Sequence, residues 1–216
     1  MIITIDGAAG TGKTTVGILT ANRLNFSFLD TGKIYRAFTL KLIKDSVQLK
    51  EEEIIKNLDK TEIHYSYDNQ KEFVFLDKVD VTSEILSKEV EKSVSLVSKI
   101  PEVRNKMTTL QRSIVNDKDF VVVGRDIGTV VLPDAEVKIF LIASIEERAK
   151  RRFSERKGQS YLDILESMKN RDIIDSTRKV APLKAPENSL IIDTEGIDII
   201  EVSNKIIKET DNEYSI

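Results

Sequence analysis

The sequence predicts an α/β fold in which helices cover both faces of a parallel sheet, giving three layers. Short β-branched or apolar runs such as Met1–Ile5 and Phe120–Val123 are typical of buried parallel strands. Segments with helical spacing, such as Lys13–Leu24, alternate with these runs along the chain. This alternation favours a parallel sheet, because parallel strands need a crossover helix between them.

The other elements are predicted by the same two patterns. Further short strands are predicted at Phe26–Leu29, Val137–Leu141 and Leu190–Ile192. Helices are predicted at Thr31–Leu42, Lys50–Leu58, Ser87–Lys99, Val103–Asn116, Ser144–Lys157, Tyr161–Thr177 and Ile197–Lys208, and the polar residues 210–216 are expected to fray.

A different pattern occupies Glu62–Val81. Here Ile63, Tyr65 and Tyr67 alternate with polar residues, and a turn is predicted at residues 68–70. Alternation on both sides of a turn predicts a half-buried antiparallel hairpin. Because a hairpin does not fit the strand–helix alternation, the sequence predicts an inserted subdomain.

The loop after the first strand reads Gly-Ala-Ala-Gly-Thr-Gly-Lys-Thr over residues 7–14. It matches Gly-x-x-x-x-Gly-Lys-[Ser/Thr], in which backbone amides and a helix N-terminus cradle phosphates. A P-loop NTPase core is therefore predicted, with Lys13 at the β and γ phosphates of ATP and the Thr14 hydroxyl on Mg²⁺. The predicted ATP-binding residues in the loop are Gly7, Ala8, Ala9, Gly10, Thr11, Gly12, Lys13, Thr14 and Thr15.

Other P-loop classes fit the chain poorly. A GTPase needs Asn-Lys-x-Asp after a later strand, whereas residues 116–119 read Asn-Asp-Lys-Asp and precede their strand. Motor and AAA-type ATPases carry Asp-Glu after an apolar strand, but Phe120–Val123 is followed by Gly124-Arg125-Asp126. An arginine at this place suits a second phosphate, which favours a kinase acting on a small phosphorylated acceptor.

Composition excludes several other functions. The chain has no cysteine and a single histidine, His64, which excludes thiolate and His-cluster metal sites. A net charge of −3 gives no basis for nucleic-acid binding. No apolar run approaches the length of a membrane span and no basic leader precedes the first strand, so a cytoplasmic protein without membrane partners is expected.

One segment is strongly basic within this acidic chain. Residues 148–184 contain eleven Lys or Arg and five Asp or Glu. Arg171, Asp175 and Arg178 in this segment are spaced i, i+4 and i+7, which predicts one helix face. Phosphoryl transfer between two polyanions needs such cations. The basic candidates are Arg36, Arg104, Arg125, Arg148, Arg152, Arg171 and Arg178.

Four blocks of the chain resemble the bacterial cytidylate kinases. With the phosphate-binding loop, they occur in that family's order and spacing from residue 2 to about 194, and the second of them is specific to it. The blocks are Leu29-Asp30-Thr31-Gly32-Lys33-Ile34-Tyr35-Arg36, Gly124-Arg125-Asp126-Ile127-Gly128-Thr129-Val130-Val131, Arg171-Asp172-x-x-Asp175-Ser176-x-Arg178 and Ile192-Asp193-Thr194. Lys33 departs from the family, which more often has a small residue there.

The resemblance implies transfer of the γ-phosphate of ATP to CMP or dCMP, giving ADP and CDP or dCDP. The implied catalytic residues are Lys13, Arg125, Arg152 and Arg178. The implied CMP-binding residues fall into three sets: Arg36, Arg125 and Arg178 for the phosphate, Thr31, Arg104 and Asp126 for cytosine, and Ser95, Arg171 and Asp175 for the sugar.

The resemblance also implies a division of the single domain by role. The core comprises residues 1–32, 101–147 and 185–216, and residues 33–100 form an acceptor-binding insertion. Residues 148–184 form a helical lid that places Arg148 and Arg152 on ATP and excludes water.

Two alternatives stay open on the sequence alone. Another small P-loop kinase, acting on UMP, AMP or shikimate, shares the loop and the arginines. A nucleotide-dependent switch or nucleic-acid-binding ATPase is the alternative from another class. No apolar heptad or exposed strand run indicates an interface, so a monomer is expected.

Overall fold

The computed structural model describes residues 1–116, 118–155 and 158–214. The chain divides into two compact units, one formed by Met1–Ser27 with Lys118–Ile216 and the other by Phe28–Asp117. The predicted α/β class is confirmed, with a parallel five-stranded sheet. Its strands are β1 (Ile2–Gly7), β2 (Ser27–Asp30), β6 (Phe120–Gly124), β7 (Val137–Ile142) and β8 (Leu190–Asp193), and they lie in the order β2-β6-β1-β7-β8.

The first unit is organised around β1. Its residues are buried from Ile3 to Gly7, and β1 pairs in parallel with β6 on one side and β7 on the other. The register places Asp6 opposite Gly124 and opposite Phe140. The carboxyl ends of β1 and β6 therefore meet at one edge of the sheet. The helices of this unit are α1 (Lys13–Leu24), α6 (Ile145–Glu155), α7 (Tyr161–Thr177) and α8 (Ile199–Tyr214).

The second unit joins helices to a small antiparallel sheet. The predicted hairpin is present: alternate residues Ile63 and Tyr65 are buried, and Asn69 and Gln70 take positive φ at its turn. A two-residue third strand extends it. The elements are β3 (Ile63–Asp68), β4 (Lys71–Leu76), β5 (Val79–Asp80), α2 (Thr31–Lys44), α3 (Glu51–Lys56), α4 (Lys88–Ser98) and α5 (Pro101–Ile114).

Several helix ends have local causes in the sequence. The Asp30 side chain accepts from the Gly32 amide at the start of α2, and Ser160 accepts from Leu162 at the start of α7. Pro101 occupies the first turn of α5, where its missing N–H costs nothing.

Other segments also differ from the prediction. The expectation that the chain frays from residue 210 is wrong as far as Tyr214, because α8 continues to that residue and Thr210 is buried in it. Residues 215 and 216, and the predicted helix end at 156 and 157, lie outside the described residues. A 3₁₀ turn at Glu84–Leu86 and a π-helical turn at Ile127–Val131 were not predicted.

Candidate active site

The P-loop forms a tight backbone turn at the end of β1. Gly7, Gly10 and Gly12 all have positive φ, at 150°, 80° and 88°, which residues with a side chain rarely adopt. Gly12 is the N-cap of α1, so the amides of the first turn face the loop. The buried Lys13 ammonium donates to the Ala8 carbonyl at 2.6 Å and lies 3.3 Å from Thr11 Oγ1. The loop thus has the cation and the oriented amides that a triphosphate requires.

Arg148 fixes the P-loop to the basic segment. Its guanidinium donates to Ala9 O at 3.1 Å, to Ala143 O at 3.1 Å and to Asp172 Oδ2 at 2.7 Å. The residue is only 6% exposed, so it is an anchored side chain in this structure. These bonds use three of the five guanidinium N–H groups, so a contact between Arg148 and ATP, as predicted, would use the other two.

An apolar cluster supports the same anchoring. Ala9 packs with Ala149, Ile164 and Met168, so one side of the loop is covered by α6 and α7. A Cβ placed on Gly10 would lie 3.0 Å from Met168 Cε. The absence of a side chain at residue 10 therefore allows these helices to approach the loop.

Asp6 joins the P-loop strand to the segment that follows β6. This carboxylate is fully buried, and its two oxygens accept from the Ile127 amide at 2.9 Å and the Gly128 amide at 2.8 Å. Burial raises its pKa to about 6, although the two amides and Lys13 act in the opposite direction. Asp126 adds to the upward shift of the pKa through its negative charge.

Replacing Asp6 with asparagine should make the free energy of unfolding depend less on pH. The pKa rises from an ordinary value of 3.8 to about 6 on folding, so the native state binds this proton more tightly than the unfolded chain. The wild-type free energy of unfolding should therefore fall by about 3 kcal/mol between about pH 4 and about pH 8 from this group. Urea unfolding of both proteins at several pH values measures the difference, and an Asp6→Asn variant that keeps the full wild-type fall would contradict it.

Two arginines and two carboxylates form a network beside the P-loop strand. Arg125, at the end of β6, donates from Nε to Asp175 Oδ2 at 3.0 Å. Arg178 donates from Nη2 to Asp126 Oδ1 at 3.2 Å, and its Nη1 lies 3.9 Å from Asp175 Oδ1. The side chains of Asp126, Asp175 and Arg178 are each only 4–5% exposed. The network is thus a desolvated set of opposite charges.

Asp175 is the centre of this network. Burial alone would raise its pKa, but the charges of Arg125, Arg171 and Arg178 outweigh burial and lower the pKa below 3.8. Arg171 lies one helical turn away, with Nε 3.9 Å from Asp175 Oδ2. Arg178 is not on the predicted helix face, because α7 ends at Thr177 and Arg178 is its extended C-cap. The extended backbone still brings its guanidinium to Asp175 and Asp126.

The second unit holds the other predicted acceptor residues. Arg104 is buried, with its guanidinium carbon 5.4 Å from the centre of the Tyr35 ring and Nη1 donating to Ser98 O at 3.0 Å. Arg36 donates from Nη1 to Ile85 O at 3.4 Å. The structure therefore brings Arg104 and Tyr35 together within this unit.

The remaining predicted residues lie on helices. Thr31 is the first residue of α2 and is 3% exposed, while Ser95 is half-buried on α4. Arg152 is half-buried on α6. Thr14 and Thr15 are in the first turn of α1, half-buried and exposed respectively.

Sequence reasoning missed Asp6, Asp172 and Arg151. Arg151 donates to the backbone oxygen of Thr194 at 2.7 Å and to its hydroxyl at 3.1 Å, and that hydroxyl lies 3.4 Å from Thr11 O. Asp6 carried a signal as an acid in a mostly apolar strand next to the P-loop, and Asp172 stands in the third block without an assigned role. Arg148 and Thr194, which bond Asp172 and Arg151, are too distant in sequence for these pairs to be inferred.

A P-loop next to a buried arginine–carboxylate network on a parallel sheet defines a P-loop kinase. The family model "Cytidylate kinase" matches residues 3–212. The chain is 46% identical over 209 residues to the cytidylate kinase of Caldanaerobacter subterraneus subsp. tengcongensis, covering 94% of this chain and 92% of that protein. It is 44% identical over 213 residues to the cytidylate kinase of Carboxydothermus hydrogenoformans, covering 96% of each.

The chain belongs to the cytidylate kinase family, as the four sequence blocks predicted. Among solved structures, the shikimate kinase of Bacteroides thetaiotaomicron superposes with a TM-score of 0.50 at 12% identity, covering 97% of each chain. That likeness concerns the fold alone. It agrees with the predicted α/β fold.

Proposed function

We propose that the protein transfers the γ-phosphate of ATP to CMP or dCMP, giving ADP and CDP or dCDP. The main observation that supports this proposal is the register of β1 and β6, which pairs Asp6 with Gly124. It places a P-loop and the Arg125–Asp126 pair at adjacent strand ends within one compact unit. A donor phosphate and a charged acceptor need this arrangement of cations. The names of the relatives support CMP as the acceptor.

Lys13 is the main donor-side residue in this proposal. Its ammonium is buried in the loop and is positioned by the Ala8 carbonyl, so it can follow the β and γ phosphates as charge develops on them. The loop amides hold the same phosphates through the N-terminus of α1. Arg152 supplies a further positive charge from α6.

The acceptor phosphate is assigned to Arg36, Arg125 and Arg178. Planar guanidinium groups bind phosphate through two parallel hydrogen bonds, which also fixes its direction. Asp175 orients Arg125 before substrate arrives, at a distance of 3.0 Å. A pre-oriented arginine loses less conformational freedom on binding and so stabilises the transition state more.

Asp126 is assigned to the cytosine base together with Arg104 and Thr31. An ionised carboxylate accepts from the exocyclic amine of cytosine, and a guanidinium donates to its ring acceptors. Uracil has a carbonyl at the position of that amine, so Asp126 would face a second acceptor and disfavour UMP. Ser95, Arg171 and Asp175 are assigned to the sugar.

Thr14 fits the role of a Mg²⁺ ligand. Mg²⁺ prefers oxygen ligands and commonly takes few from the protein and the rest from phosphates and water. No group of three or more His, Asp or Glu side chains is arranged to hold a metal in the part of the chain that the structure describes. A single hydroxyl at the start of α1 suits this mode of binding. When bound, the ion would neutralise charge on the β and γ phosphates.

Several wider features belong to the same proposal. Residues 33–100 act as the acceptor-binding insertion, residues 148–184 as a lid that excludes water, and residues 1–32, 101–147 and 185–216 as the core. The enzyme serves pyrimidine nucleotide metabolism in the cytoplasm as a monomer, without nucleic-acid or membrane partners. No helix within the described residues is both long and apolar enough to cross a membrane.

A coupled assay of ADP release over CMP, dCMP, UMP, AMP and GMP tests the proposal. We expect turnover with ATP and Mg²⁺ to depend on CMP or dCMP, with UMP at least tenfold poorer because of Asp126, a discrimination of about 1.4 kcal/mol or more. An Asp126→Asn variant should lose most of this preference. Turnover that ignores CMP, or that appears only with RNA, would overturn the proposed function.

A further inference from the structure

A buried ion pair joins the first turn of α2 to the small sheet of the second unit. Lys33, the third residue of α2, lies with its ammonium nitrogen 2.5 Å from Glu72 Oε2 on β4. The Lys33 side chain is 17% exposed and that of Glu72 is 5% exposed. The two residues are 39 positions apart, so the contact is a tertiary one.

The pair belongs to a larger buried cluster. The Tyr65 hydroxyl on β3 lies 2.9 Å from Glu72 Oε1 and 2.9 Å from the Phe28 carbonyl on β2. Burial and the charge of Asp30 raise the pKa of Glu72, while Lys33 and Tyr65 lower it. The pKa of Glu72 is raised on balance, so the charge of Lys33 offsets only part of the cost of burying this carboxylate.

This cluster lies around the N-terminus of α2, the helix that carries Thr31 and Arg36, which are both assigned to the acceptor nucleotide. The Asp30 side chain caps α2 by accepting from the Gly32 amide at 3.0 Å. Thr31 lies between this cap and Lys33, and Arg36 follows one turn later. The first turn of α2 is thus held at its N-cap by Asp30 and on the side of the small sheet by Glu72.

We infer that Lys33 and Glu72 are positioning residues for the acceptor nucleotide, since their ion pair sets the first turn of α2 and with it Thr31 and Arg36. The inference rests on the proposed function, in which these two residues bind the base and the phosphate of CMP. Neither Lys33 nor Glu72 touches substrate in this scheme. They reduce the cost of ordering Thr31 and Arg36 when CMP binds.

Comparing the change in KM for CMP with the change in KM for ATP tests this role. In Glu72→Gln we expect KM for CMP to rise about tenfold, while KM for ATP stays within about twofold of wild type. The matched control is Asp77→Asn, which removes the charge of one of the two carboxylates that pair with Lys41, the one at 2.8 Å; Lys41 lies on α2, two turns after Lys33. This control should leave both KM values unchanged, because Lys41 is distant in sequence from the first turn.

A double variant separates positioning from stability. Lys33→Met alone should lower the melting temperature, because it leaves Glu72 buried without its cation. Adding Glu72→Gln to Lys33→Met should restore much of that temperature, whereas KM for CMP should stay raised. A folded Glu72→Gln protein with wild-type KM for CMP, or one with equal rises in both KM values, would overturn the inference. Wild-type protein inactive on CMP would instead overturn the proposed function.

Discussion

An Asp175→Asn variant should lose at least about a hundredfold in kcat/KM for CMP, on the order of 3 kcal/mol of transition-state stabilisation. The substitution keeps the size of the side chain but removes the charge that Arg125, Arg171 and Arg178 share. Without it the positive charges of Arg125 and Arg178 are no longer balanced by Asp175, and one of the two carboxylate oxygens that face them becomes an amide nitrogen. The acceptor phosphate then meets arginines that are no longer fixed before binding.

Stability should change in the same variant. Removing one member of a buried charge network costs about 3–5 kcal/mol when the others stay buried. Because the pKa of Asp175 is lowered on folding, its contribution is present above about pH 4 and lost as the pH falls below that value. The free energy of unfolding of wild type and variant should therefore converge in acid.

Steady-state kinetics with CMP and urea unfolding measure both effects. Glu166→Gln is the matched control, since Glu166 is an exposed carboxylate on the same helix and should change neither quantity by more than about 0.5 kcal/mol. An Asp175→Asn protein with wild-type kcat/KM would contradict the role given to the network.

A Gly7→Ala variant should be destabilised by more than about 4 kcal/mol, a loss seen only for severe steric or core defects. The φ of Gly7 is +150°, which is unfavourable for alanine. A Cβ at this residue would also lie 2.3 Å from the Leu141 carbonyl oxygen on β7. The neighbour is backbone of a paired strand, so it cannot move aside without breaking the parallel sheet.

Gly158→Ala is the control that measures the cost of a positive φ alone, without a steric clash. Gly158 has a φ of +82°, and among the described residues other than its chain neighbours no atom lies within 4 Å of the position that an alanine Cβ would take, so the substitution should cost only about 1 kcal/mol. Thermal unfolding of the two variants gives the comparison. Equal losses would mean that the contact with Leu141 does not determine the cost at Gly7.

The parts of the fold that depend on local sequence were predictable. The helix α1 follows Gly12 and spans Lys13–Leu24 as predicted, and α7 has its predicted limits because Ser160 caps it. The π-helical turn at Ile127–Val131 was not predictable, since it depends on two amides reaching the Asp6 carboxylate more than a hundred residues away.

The candidate site likewise has parts that the sequence predicts and parts that only the structure gives. The P-loop and the residues Arg125 and Asp126 lie in short motifs whose chemistry is legible in the sequence. The structure adds the pairing, for example Arg125 with Asp175 and Arg178 with Asp126, which sequence spacing did not specify. The partner of Lys33 was equally hidden, because the register of a hairpin decides that Glu72 faces α2.

Arg148 and Met168 have a consequence for protein engineering. The P-loop is contiguous in sequence, yet the Ala9 carbonyl is bonded to a guanidinium from α6, and a Cβ at residue 10 would lie 3.0 Å from a methionine of α7. Residues 7–14 are therefore not expected to keep their conformation when they are transferred alone to another protein. A graft of the loop into another sheet would have to bring both helices, and a swap of the basic segment between relatives would have to keep the residues that meet the loop.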